Sequence, residues 1–71
     1  MNVLGRNMRR YRQAKGLDCT ELARLTGLTT MSISYYERGL RTPRIENVIK
    51  IASILGVTVS DLLSDGDRKA V

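Results

Sequence analysis

Helix stops at Gly16, Gly27, Gly39, Pro43 and Gly56 cut this chain into short segments, and the apolar residues between them recur at helical spacing. This punctuation leaves few options. Five short helices fit between the marks, and none is long enough to be stable alone, so they must cover one another's apolar faces. With 71 residues the product is one small domain, in which folding removes only about 60% of the unfolded surface from water. The expected architecture is all-α and compact, with a five-helix domain over 1–63 and a polar tail over 64–71.

The first helix runs roughly from Asn2 to Lys15, with Leu4, Met8 and Tyr11 at i, i+4 and i+7 and Gly16 closing it. Asp18 caps the second, and Glu21 three residues on completes a variant capping box. Leu22, Ala23 and Leu25 form its apolar side before the stop at Thr26-Gly27-Leu28. The third helix starts at Thr29 as N-cap, buries Ile33 and Tyr36 and ends at Gly39. The fourth follows Thr42-Pro43, with Thr42 as the expected cap and Pro43 in the first turn. Its stripe of Ile45, Val48, Ile49, Ile51, Ala52, Ile54 and Leu55 is too wide for one contact. Ile49 and Ile54 lie on opposite margins and suit the core, with a subunit interface as the alternative. Thr58 and Asp61 form another capping box for a short helix from Val59 to Leu63.

Composition removes whole classes of chemistry. There is no His, Trp or Phe, and Cys19 is the single cysteine. Imidazole acid–base catalysis, a His/Cys metal cage, a thiol–imidazole nucleophile and an internal disulfide are all unavailable, so no catalytic residue, cofactor or metal is expected. No run approaches the roughly 20 apolar residues of a membrane span, and the N-terminus lacks the apolar stretch of a signal peptide. A cytoplasmic protein with no membrane partner is expected. Cys19 sits where a helix N-terminus lowers a thiol's pKa, which raises the option of redox sensing.

Charge supplies the positive clue. Twelve Lys+Arg face 7 Asp+Glu, for a net charge of +5 and a pI near 10.0. Arg6, Arg9, Arg10, Arg12, Lys15, Arg24, Arg38, Arg41 and Arg44 meet only Asp18, Glu21 and Glu37 before residue 45. Such lopsidedness suits a polyanion, duplex nucleic acid above all, with a solvated basic face as the plainer alternative. The second and third helices, joined across a glycine turn of three residues, add a helix-turn-helix signature over about 19–38. Ala23 is small where the helices cross, Gly27 permits a left-handed turn, and Leu22, Leu28 and Ile33 lock the crossing angle.

The run Gly16-Leu17…Glu21-Leu22-Ala23…Thr26-Gly27-Leu28-Thr29…Ile33-Ser34…Glu37-Arg38-Gly39…Pro43…Ala52…Leu55-Gly56-Val57…Leu62-Leu63 resembles the lambda-repressor-like helix-turn-helix family, also called Cro-like or XRE-type. The resemblance spans about Met8 to Leu63. It implies a compact five-helix domain that binds duplex DNA sequence-specifically as a homodimer on a palindromic operator and regulates transcription, most simply as a repressor. Carried onto this chain, the recognition helix is Thr29 to Arg38, with Thr30, Met31, Ser32 and Tyr35 at base edges. No Arg, Asn or Gln precedes Arg38 on this helix, so methyl contacts and DNA shape replace the bidentate pairings. Thr29, Arg38, Arg41 and Arg44 are the implied phosphate contacts, with Arg41 or Arg44 alternatively in the minor groove. Arg12 and Glu37 occupy positions that commonly form a structural ion pair. Val57, Val59, Leu62 and Leu63, with Ile54, are candidates for the dimer interface and equally for the core.

Two departures stand out. Asp18-Cys19 replaces the phosphate-touching pair that usually opens the second helix, and Asp18 would repel a phosphate. Arg44 replaces the small residue usual after the proline. A protein-interaction module or antitoxin-type regulator, whose main partner is a toxin or antagonist protein, is the alternative function.

Overall fold

Asp18, Thr29 and Thr58 each stand one residue before a helix in extended backbone and close its first turn with a side-chain oxygen. The computed structural model describes residues 3–64, in the order α1 (Val3–Ala14), α2 (Cys19–Thr26), α3 (Thr30–Glu37), α4 (Ile45–Leu55) and α5 (Val59–Leu63). Asn2 and 65–71, placed by sequence in the first helix and the tail, lie outside the described residues. Both expected capping boxes form. The Asp18 carboxylate accepts from the Glu21 amide at 2.7 Å and Glu21 accepts from the Asp18 amide at 2.9 Å; the Thr58–Asp61 pair does the same at 2.9 and 3.0 Å.

The start of α4 departs from expectation. Helix begins at Ile45, with Arg44 in the N-cap position and no side-chain cap; Thr42 caps nothing and Pro43 precedes the first turn. A proline disfavours helical geometry in the residue before it, and Pro43 is itself buried. The helix starts two residues later, at Ile45. The Arg44 carbonyl accepts from the amides of Asn47 (2.9 Å) and Val48 (3.0 Å), and Glu46 supplies first-turn negative charge.

The core gathers one stripe from each helix. Met8, Leu22, Ile33, Ile51 and Leu62 have no exposed surface, and Leu4, Ala23, Tyr36, Val48, Ala52 and Leu55 surround them. α1 packs on α3, α4 and α5, while α2 packs on α3 and α4. Two sequence assignments change as a result. Leu25 and Ile49, given to the apolar side of α2 and to the core, are about half exposed and line an open groove with Ile54. Leu62, left open between the dimer interface and the core, is entirely core, the one fully buried residue of α5. Val57, Val59 and Ile54 also pack on the core, which leaves Leu63 as the open member of that set.

Two residues of α1 do work that composition does not announce. The Asn7 amide, buried, donates to the carbonyls of Leu62 at 2.8 Å and Ser64 at 2.7 Å, with Asp61 O at 3.4 Å. The Leu62 and Ser64 carbonyls lie at the end of α5, where no further turn of helix supplies donors. Gly5 lets α1 touch the backbone of α3: a Cβ there would meet the carbonyl oxygens of both Tyr36 and Glu37, the latter at 2.6 Å. Asn7→Ala should therefore cost about 1–3 kcal/mol by stranding those carbonyls, and Gly5→Ala about 1–3 kcal/mol by forcing α1 off α3. Urea denaturation followed by circular dichroism measures both, and an unchanged midpoint for either variant contradicts the role given to that residue.

Candidate nucleic-acid interface

The turn between α2 and α3 sets how the third helix is presented. Gly27 ends α2 in the left-handed region at φ 76°, where a side chain would be strained. The Leu28 amide returns to the Ala23 carbonyl at 2.9 Å, and the buried Thr26 hydroxyl donates back to Leu22 at 2.8 Å. Thr29 then restarts the chain as N-cap, its hydroxyl oxygen accepting from the Ser32 amide at 3.0 Å. Only Ile33 and Tyr36 of α3 are fully buried. Thr30 and Met31 are exposed, while Ser32, Ser34, Tyr35 and Glu37 are half-buried.

The far end of α3 is held by a buried ion pair. Arg12 Nε lies 2.7 Å from Glu37 Oε2 and Nη2 lies 3.0 Å from Oε1, a bidentate fork whose side chains keep 11% and 6% of their surface exposed. The remaining arm, Nη1, donates to Leu17 O at 2.8 Å. One guanidinium thus joins α1, the α1–α2 loop and the end of α3. The hydrogen bond to Glu37 raises the Arg12 pKa further above its already high value, so the cation persists at every physiological pH.

The expected readers fall into two groups. Met31 is largely open, Tyr35 is half-buried, and Arg38 lies over the Tyr35 ring. Thr30 and Ser32 are engaged locally, Thr30 with the Thr20 hydroxyl at 3.4 Å and Ser32 accepting from the Thr29 hydroxyl at 2.9 Å. Thr29, Arg38, Arg41 and Arg44 are all exposed. No group of His, Cys, Asp and Glu among the described residues is arranged to hold a metal, and none of the described helices is long and apolar enough to cross a membrane.

Cys19 packs inward. Its Sγ lies 3.9 Å from Glu37 Oε1. Burial first, and the neighbouring Glu37 carboxylate second, push its thiol pKa up, against the lowering expected at a helix N-terminus. A raised pKa means that the folded protein holds the thiol proton more tightly than the unfolded chain. The stabilisation is complete below the ordinary thiol range and disappears as pH rises through the folded value. Iodoacetamide at pH 8 should accordingly label Cys19 more slowly in native than in denatured protein, with the native rate rising only at higher pH. Equal rates overturn this assignment. Arg12→Ala or Glu37→Gln leaves a buried partner uncompensated and should cost about 3–5 kcal/mol, read as a fall in denaturation midpoint; a double-mutant cycle should give a non-additive term.

Comparison with known proteins places this geometry. A helix-turn-helix family profile matches residues 8–62. The HTH-type transcriptional regulator SinR of Bacillus licheniformis is 35% identical over 67 residues, covering 93% of this chain and 60% of SinR. The chain therefore spans somewhat over half the length of that relative. The crystal structure of hypothetical transcription factor NHTF from Neisseria superposes with a TM-score of 0.92 at 36% identity, covering 97% of this chain and 79% of that one. SinR in complex with DNA gives 0.82 at 35% identity, covering 86% of this chain and 98% of the solved one. With five helices, a glycine-turned pair at the centre and an open third helix, the chain belongs to the lambda-repressor-like, XRE-type helix-turn-helix family of DNA-binding transcriptional regulators.

Proposed function

We propose that this chain is the DNA-binding domain of a transcriptional repressor that occupies a palindromic operator as a homodimer, with α3 in the major groove. The observation that carries this is the outward face of α3: Met31 is 63% exposed and stands on a helix anchored at its far end by the Arg12–Glu37 pair, beside exposed Arg41 and Arg44. Thr30, Met31, Ser32 and Tyr35 supply hydroxyl and apolar contacts to base edges. Thr29, at the helix N-terminus, and Arg41 and Arg44, in the segment leading into α4, hold phosphates. The Asp18 and Glu21 carboxylates are consumed by their capping box, so the start of α2 contributes backbone amides rather than a side-chain clamp. Leu63 is the exposed apolar residue of α5 available to a dimer contact.

Selection from a pool of random-sequence duplexes near physiological salt tests the whole proposal. Enrichment of a palindrome with half-sites about 34–36 Å apart is the expected result. Tyr35→Ala should cost about 1–3 kcal/mol and relax preference at one or two base pairs, whereas Arg41→Ala should weaken all sequences alike and flatten the salt slope by about one unit. Affinity insensitive to salt would instead favour a protein partner, seated in the groove where Leu25 and Ile49 are half exposed.

A further inference from the structure

The buried residues of α3, Ile33 and Tyr36, define the opposite crest of the helix. Met31, Tyr35 and Arg38 recur along it at i, i+4 and i+7, the spacing of one stripe. Thr30 and Ser32 lie on its flanks, where their hydroxyls meet Thr20 and Thr29. Arg38 is the stripe's one cation. It occupies the C-cap position with helical backbone angles, φ −87° and ψ −1°. Helical side chains lean toward the N-terminus of their own helix, and Arg38 follows this rule: its guanidinium carbon sits 5.5 Å from the Tyr35 ring centroid. The charge is thereby carried back along the crest toward the residues that face the bases.

A guanidinium held over a ring by cation–π attraction keeps N–H donors for an acceptor. Among the described residues Arg38 takes part in no ion pair, so these donors are uncommitted. We infer that Arg38, placed by sequence among the phosphate contacts, is a base-reading residue: held over the Tyr35 ring, its fork pairs with O6 and N7 of a guanine in the major groove. This rests on α3 being the DNA-reading helix. It also assigns Tyr35 a positioning role beside its own contact, because the guanidinium lies over its ring. A crest otherwise limited to methyl and hydroxyl contacts thus gains one bidentate pairing, the strongest kind of single-base discrimination.

Duplex selection with wild type, Arg38→Ala, Tyr35→Phe and Tyr35→Leu separates the possibilities. Wild type should prefer guanine at one position of each half-site by about 5- to 150-fold, the range of one bidentate pair. Arg38→Ala should lose that preference and keep the rest of the motif; Tyr35→Phe should retain it and Tyr35→Leu reduce it. Replacing the selected guanine with 7-deazaguanine, which lacks the N7 acceptor, should weaken wild type about tenfold and leave Arg38→Ala unchanged. An Arg38→Ala motif identical to that of wild type, with affinity lowered on every sequence alike, overturns base reading and returns Arg38 to the phosphate set. No enriched sequence with wild type overturns instead the DNA-reading assignment on which the inference depends.

Discussion

The bidentate pair between Arg12 and Glu37 is the contact on which the presentation of α3 depends. Its carboxylate is the last residue of α3, its guanidinium belongs to α1, and the spare N–H arm holds Leu17 in the loop leading to α2. Burying two charges is favourable only when the geometry is good and the remaining donors are satisfied, and both conditions are met here. The pair also explains the behaviour of its neighbours. Cys19 packs beside Glu37 and keeps its proton, while Gly5 admits the backbone of Tyr36 and Glu37 close enough for the fork to close.

Around this point the domain divides its labour by helix face. α1 spends its buried side on structure: Leu4 and Met8 on the core, Asn7 on the end of α5, Arg12 on the end of α3. α3 spends Ile33 and Tyr36 on the core and Glu37 on the ion pair, and leaves Met31 and Arg38 exposed on the opposite side. An eight-residue helix would not be stable by itself. It is held at one end by the Thr29 cap and at the other by the ion pair, which is why so few of its side chains are needed inside.

Legibility from sequence tracks the range of each interaction. Caps at Asp18, Thr29 and Thr58 and the turn at Gly27 depend on residues within three or four positions, and they stand in the structure where the sequence places them. The start of α4 departs from the same logic: Thr42 makes no cap, and the helix begins two residues after the buried Pro43. Leu25, Ile49 and Leu62 show what periodicity leaves open: a stripe reveals which side of a helix is apolar, but whether a neighbour covers its margin depends on how the helices cross. Asn7 carries a faint signal, one polar residue in the register of Leu4 and Met8, but its acceptors lie more than fifty residues away.

By itself the sequence determined the helix count, three of the caps, the glycine turn between α2 and α3 and the basic bias of the first half, because each follows from residue type and short-range spacing; the candidate readers came from the family resemblance. Tertiary structure alone decided the rest. It showed that Leu62 belongs to the core, that Cys19 lies against a carboxylate, that Gly5 is a contact point between backbones, and that Arg38, though exposed, lies over the Tyr35 ring. These are matters of which surfaces meet in space, and close packing settles them only when every helix is in place.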